Sequence, residues 1–305
     1  MRAPALPVTV IGGYLGAGKT TLVNALLRDA RGVRLAVLVN DFGALPIDAD
    51  LIESAEGDTI AIAGGCVCCS FGSDLIAALQ ALATRTPRPE HVLVESSGVA
   101  LPGAIAATVS LLPDYVVDGV VVLADTETVR ARAADRYLGD TIARQLADAD
   151  LVLATKTDLV DGETRAATLA WLGTRARTLE AAHGRVPLEL LTGRRTTTPR
   201  PMGLQAAPHA DYDSCALESE GALDVERLAA ALADPALGVL RAKGVLARAD
   251  GTVAVLHVVG RRAEVRAAPA SAAPGRLVCI GLRGQLDVPR IRSLIESPAC
   301  EALPT

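Results

Sequence analysis

Two stretches of this chain set chemistry-bearing residues close together. The first is GYLGAGKT, Gly13 to Thr20, which fits the pattern G-x-x-x-x-G-K-[ST]. Glycines let the backbone take φ > 0, so successive N–H groups turn inward on a polyphosphate. A helix beginning at the loop's end adds partial positive charge. Gly13, Gly16, Ala17 and Gly18 supply that cradle, Lys19 reaches the β- and γ-phosphates, Thr20 can ligate Mg2+, and Thr21 is placed to touch the α-phosphate. The second stretch is GGCVCCS, Gly64 to Ser70, which holds three of the six cysteines within four residues. Its chemistry is metal binding, thiol redox, or the packing of inert thiols.

An extended backbone puts Cys66 and Cys68 on one side and Cys69 on the other. Two thiolates on one side are a partial site, and a closed structural zinc site needs four ligands. No second Cys/His cluster occurs in the sequence to complete it. A disulfide between adjacent Cys68 and Cys69 would strain the peptide between them, and Cys66–Cys68 would close a small ring. Cys66, Cys68 and Cys69 are therefore expected to hold an exchangeable metal, with redox and packing roles as alternatives. The other cysteines, Cys215, Cys279 and Cys300, are scattered singly, which is no disulfide framework. A cytoplasmic, reducing setting fits this usage.

Further polar residues follow apolar runs, where α/β sheets bind ligands beyond the carboxyl ends of their strands. HVLVES (91–96) leads into Glu95, Ser96, Ser97 and Gly98: a carboxylate for Mg2+ and a glycine N–H able to sense the γ-phosphate. LVLAT (151–155) leads into TKTD. There the Asp158 carboxylate suits the N1–H and exocyclic amine of guanine, and the Lys156 stem can cover the base. The usual first residue of that signature is Asn, and here it is Thr155. RLAVLV (34–39) leads into NDFGALPID, Asn40 to Asp48, which suits either a switch loop near the phosphates or an ordinary connection.

The elements that must position these residues alternate. Runs at 6–11, 34–39, 91–96, 119–125, 151–155 and 186–191 read as buried parallel strands. Helical periods lie between, at 20–30, 73–83 and 164–178. This predicts an α/β fold: a P-loop NTPase with a doubly wound, mostly parallel sheet, over residues 1–195. Residues 196–213 read as a linker rich in Thr, Pro and Arg, and residues 214–305 as a smaller α+β domain. In that domain a helix is expected from Asp224, a hairpin around Asp250-Gly251, a strand at 276–282 and a helix capped near Asp287.

The chain has 305 residues, enough for two cores, and only 2% are aromatic, so packing must rest on Ala, Val, Leu and Ile. The net charge of −5 argues against a broad basic surface for nucleic acid or anionic membrane. The start of the chain lacks the pattern of a signal peptide, and no apolar run reaches the ~18 residues of a membrane span.

In this order the motifs resemble the CobW-type GTPases, of the CobW/HypB/UreG group of P-loop proteins. The resemblance rests on GYLGAGKTTLVN (13–24), VNDFG with ID at 47–48, GGCVCC (64–69), ESSGVALP (95–102), DGVVVLAD (118–125) and TKTDLV (155–160). VLRAKGVL (239–246) and RLVCIG (276–281) look like that family's C-terminal domain. The resemblance implies GTP binding, slow Mg2+-dependent hydrolysis to GDP and phosphate, and delivery of a transition metal, Zn2+ or Co2+, to a client metalloprotein. By motif match Lys19, Glu95 and Asp41 would serve catalysis. Thr20 and Glu95 would hold Mg2+, Gly98 would meet the nucleotide, and Thr155, Lys156 and Asp158 would hold guanine. A homodimer is allowed for. The alternatives are a regulatory switch that senses metal or nucleotide without delivering metal, and a P-loop small-molecule kinase or ATPase. Three departures from the family pattern stand out. Asp41 replaces a usual Glu, Ala44 removes a further carboxylate, and the four histidines (His91, His183, His209, His257) are scattered rather than clustered.

Overall fold

The structure, a computed structural model, describes residues 4–30, 32–40, 60–64, 73–181, 185–193, 212–219, 221–268 and 273–296. The chain divides into two compact units, Met1–Leu204 and Gln205–Thr305.

Among the described residues the first unit has seven strands: β1 (Leu6–Gly13), β2 (Leu35–Asn40), β3 (Ile60–Gly64), β4 (His91–Glu95), β5 (Tyr115–Asp125), β6 (Leu151–Thr155) and β7 (Thr178–Ala181). They lie in the order β3-β2-β4-β1-β5-β6-β7, and every pairing is parallel. β4 and β6 are buried along their whole length, which explains their unbroken apolar sequences. Its described helices are α1 (Lys19–Asp29), α2 (Ser73–Ala83), α3 (Pro102–Ser110), α4 (Val129–Ala134), α5 (Gly139–Ala147), α6 (Gly162–Gly173) and α7 (Leu188–Thr192). α1 packs on β1 and β4, α3 on β1 and β5, and α5 on β1. The core joins Val8, Val10, Val92, Val94, Val120 and Val122 of the sheet to Leu79, Ile105, Ile142 and Leu146 of the helices.

The doubly wound α/β expectation holds, with one element reassigned. Residues 186–191 form no strand; they contain the short helix α7, and the seventh strand is Thr178–Ala181. Val186, Leu188, Leu190 and Leu191 are all buried, and so short an apolar run does not distinguish a strand from a buried helix. Pro187 stands at the helix start, where its missing N–H costs nothing. The buried Thr9 hydroxyl donates to the Leu191 carbonyl at 2.8 Å, satisfying a group that the helix end leaves unpaired. With its proton so used, Thr9 accepts from His91 Nε2 at 2.8 Å, which fixes the His91 tautomer.

The second unit is an antiparallel sheet of β8 (Tyr212–Glu218), β9 (Val239–Ala247), β10 (Val253–Val259), β11 (Arg262–Ala267) and β12 (Arg276–Leu282), ordered β11-β10-β9-β12-β8. β9 and β10 pair across the expected hairpin, with Gly251 at φ +79°. Helices α8 (Val225–Leu232) and α9 (Val288–Glu296) contribute Leu228, Leu232, Ile291 and Ile295 to a core with Leu246, Leu256, Leu277 and Cys279. Asp224 caps α8 by accepting from the Arg227 N–H. Among the described residues no helix is long and apolar enough to cross a membrane.

Candidate functional site

The phosphate loop joins β1 to α1 and occupies residues 13 to 20. Gly13, Gly16 and Gly18 all have positive φ, at +130°, +77° and +93°. The reason differs between them. Among the described residues a Cβ at Gly16 or Gly18 would touch nothing, and there the backbone angle demands glycine. A Cβ at Gly13 would lie 2.5 Å from the Leu123 carbonyl oxygen of β5, so crowding forbids it as well. Lys19 is buried, and its ammonium donates to the Gly13 carbonyl at 2.9 Å and the Tyr14 carbonyl at 3.4 Å. The charge is thus held across the loop whose N–H groups would cradle a phosphate. Thr21, one turn-position further along α1, is exposed.

The Thr20 hydroxyl donates to Glu95 Oε1 at 2.9 Å, although 75 residues separate them. Sheet register makes this possible, because Glu95 ends β4 directly opposite Ile11 of β1. Glu95 is 2% exposed. A hydroxyl and a carboxylate oxygen at this spacing are hard donors of the kind Mg2+ takes, so the pair fits that ion.

After Glu95 the chain turns across the phosphate loop. A Cβ on Gly98 would fall 2.7 Å from the Leu15 backbone nitrogen, so only glycine fits this crossing. Gln145, 1% exposed on α5, donates its side-chain amide to the Gly98 carbonyl at 3.1 Å and the Ala100 carbonyl at 2.8 Å. Arg132 of α4 donates to the Leu15 carbonyl at 3.0 Å and stands over the Tyr14 ring, 5.0 Å from its centroid. The sequence reading missed Gln145 and Arg132. A signal for Gln145 existed: it lies on the buried stripe of α5 with Ile142 and Leu146, where a polar side chain needs a partner.

The end of β6 closes the other side of the loop. Thr155 is buried, and its hydroxyl donates to the Ala17 carbonyl at 2.9 Å. Lys156 has φ +56°, a conformation costly for a side-chain-bearing residue and concentrated at functional sites. Its ammonium pairs with Asp125 Oδ2 at 2.9 Å, at the end of β5, where the Asp125 side chain is 4% exposed. Asp125 is a further member of the site that sequence reasoning passed over. Asp158 lies exposed in the turn that follows.

Lys19, Thr20, Glu95, Gly98, Thr155 and Lys156 are therefore gathered around one loop. Asp41, Ala44, Cys66, Cys68 and Cys69 lie outside the described residues. The strands leading to them are described. β2 and β3 pair in parallel with Asn40 opposite Gly64, and β2 pairs with β4 with Val39 opposite Glu95.

The family description "CobW/HypB/UreG, nucleotide-binding domain" matches residues 7–182, and "Cobalamin synthesis protein cobW C-terminal domain" matches residues 212–298. The chain belongs to the CobW/HypB/UreG family. It is 31% identical over 289 residues to a protein of Sinorhizobium sp named zinc chaperone CobW, covering 80% of this chain and 79% of that one. It is 34% identical over 224 residues to a zinc chaperone CobW of Pseudomonas aeruginosa, covering 62% of this chain and 60% of the relative. A crystal structure of Zn(II)-bound YjiA GTPase from E. coli aligns over 96% of this chain and 99% of its own, with 24% identity and a TM-score of 0.43.

Proposed function

We propose that this chain is a GTP-binding, GTP-hydrolysing metallochaperone. It takes up zinc, or cobalt in its place, at Cys66, Cys68 and Cys69 and passes it to a client metalloprotein. The phosphate-loop backbone and Lys19 hold the β- and γ-phosphates. Thr155, Lys156 and Asp158 hold guanine, and Thr20 and Glu95 hold Mg2+. The ion supplies charge neutralisation on the phosphate oxygens. Glu95 and Asp41 are the carboxylates assigned to the attacking water, and the hydrolysis is slow. Soft thiolates suit the cargo metal. Nucleotide chemistry belongs to residues 1–195, and residues 214–305 form the accessory domain.

The observation that carries this reading is the sheet register. Asn40, Gly64 and Glu95 end three successive parallel strands at one end of the sheet, so the chain leading to Asp41 and to Cys66 starts from the same end as the carboxylate that meets Thr20. The γ-phosphate would order both segments and complete the metal site, and hydrolysis would relax them. The names of the relatives support zinc as cargo.

The test is zinc affinity in the presence of GTPγS and of GDP, on wild type and on Cys66→Ser/Cys68→Ser, with GTP turnover read in parallel. Tighter binding with GTPγS, lost in the double variant, is expected. Equal affinities in the two nucleotide states sink the coupling. Failure to load an apo-client while zinc still binds moves the chain to the class of regulatory switches.

A further inference from the structure

Outside the nucleotide site, the strongest chemical feature is a pair of cysteines in the second unit. Cys215 on β8 and Cys279 on β12 are direct partners in the antiparallel register. Opposed residues share a face of the sheet, with Cα atoms about 4.5–5.5 Å apart in either kind of antiparallel pair. That range lies inside the ~4.4–6.8 Å that a disulfide spans. The two side chains already hydrogen-bond to each other. Their environments differ: Cys279 is fully buried in the core beside Leu277 and Ile291, whereas Cys215 is half-buried at its margin, on the edge strand. Among the described residues no cluster of three metal-ligating side chains forms here.

We propose that Cys215 and Cys279 are a thiol–disulfide site, at which a hydroperoxide oxidises Cys215 and Cys279 then closes a reversible cross-strand disulfide between β8 and β12. The division of labour follows from the surroundings. The Cys279 thiol, hydrogen-bonded to Cys215 and buried, is held well above the usual thiol range and keeps its proton. That S–H donates to the Cys215 sulfur and lowers the Cys215 pKa; the Cys279 backbone N–H and the Arg292 guanidinium lower it further, against burial. Cys215 is thus the accessible thiolate, and Cys279 the resolving thiol.

The step balances. The Cys215 thiolate attacks one peroxide oxygen, the O–O bond breaks, and the alkoxide leaves as alcohol after taking a proton. Cys215 is now a sulfenic acid. The Cys279 sulfur attacks the Cys215 sulfur, the S–S bond forms, the S–O bond breaks, and hydroxide leaves with the Cys279 proton as water. Two thiols and one hydroperoxide give one disulfide, one alcohol and one water. A dithiol reductant restores both thiols by exchange. The disulfide ties the edge strand β8 covalently to the sheet.

The experiment uses the full chain carrying Cys66→Ser, Cys68→Ser, Cys69→Ser and Cys300→Ser, so that only the pair remains. It is treated with tert-butyl hydroperoxide, alkylated, digested and weighed. The expected result is a monomer lighter by two hydrogen atoms, with a linked Cys215–Cys279 peptide that dithiothreitol separates. With Cys279→Ala added, dimedone should capture Cys215; with Cys215→Ala added, Cys279 should stay unlabelled. Should Cys279→Ala fail to fold by circular dichroism, Cys279→Val replaces it, and the linked wild-type peptide is read as well. Three results overturn the proposal. One is a pair still fully alkylatable at a peroxide dose that oxidises a free cysteine peptide. Another is dimedone capture at Cys279 rather than Cys215. The third is protection of both thiols by added Zn2+, which makes the pair a metal site.

Discussion

The Thr155 hydroxyl donates to the carbonyl of Ala17 across 2.9 Å, joining the end of β6 to the phosphate loop. A threonine can therefore stand where this signature usually has asparagine: the tie to the loop needs one donor, and the buried hydroxyl supplies it. Thr155→Val keeps the shape and removes the donor. A net loss of ~0.5–1.5 kcal/mol is expected, or about 3- to 10-fold in GTP affinity, with Thr155→Asn close to wild type. Titration with a fluorescent GTP analogue decides it; wild-type affinity for the valine variant would show that the tie is idle.

Asp158 is exposed at the turn after Lys156, where a carboxylate can accept from the guanine edge. Asp158→Asn should weaken GTP by roughly 10- to 100-fold, the loss of a charged hydrogen bond of ~1.5–3 kcal/mol. Competition with ATP and xanthosine triphosphate checks this. ATP competing equally with GTP in the wild type would overturn the guanine assignment.

Thr20 and Glu95 meet through the bond that would be shared with Mg2+. Glu95→Gln keeps the volume and removes the charge. The Mg2+ concentration for half-maximal GTPase activity should rise at least about 10-fold, with smaller change in GDP binding without Mg2+. An unchanged Mg2+ titration curve would remove Glu95 from the ion's ligands.

Gln145 fixes the turn after Glu95 by donating to two carbonyls. Gln145→Leu leaves both without this donor, at a cost of about 1–3 kcal/mol in stability. Thermal unfolding should show the loss, and kcat should fall more than KM rises if Gly98 meets the γ-phosphate as proposed. Loss of stability with kcat intact would make Gln145 purely structural.

Cys215 should be alkylated as a thiolate at lower pH than an ordinary thiol, with half-maximal rate near its lowered pKa of about 7. The sign is that of a depressed pKa: the reactive anion accumulates as pH rises through that value. Cys279→Ala removes the donating S–H and should move the midpoint upward. A profile centred near 9 in the wild type would contradict the lowered value.

What the sequence disclosed was local. The phosphate loop, β4, β6, β12 and α2 are spelled by contiguous periods and by glycine spacing, and they stand where those signals put them. Gln145, Arg132 and Asp125 act across the sheet on partners 47, 117 and 31 residues away, which no window of sequence covers. Two of the strands that went unread, β8 and β11, are both edges of the second sheet. YDSCALE and RAEVRA carry charges because an edge must resist pairing with another chain, and those charges hide the apolar alternation. VPLELL was misread because Val186, Leu188 and Leu190 alternate as in a strand, although the run is too short to exclude a helical turn.

β3 is the outermost strand on its side of the seven-stranded sheet, two strands from the one that ends in Glu95. Its last residue, Gly64, lies opposite Asn40 of β2, at the same end of the sheet as Glu95. On the proposed reading, the strand that leads to the thiols therefore has a client's approach on its outer flank and the nucleotide strands on its inner one.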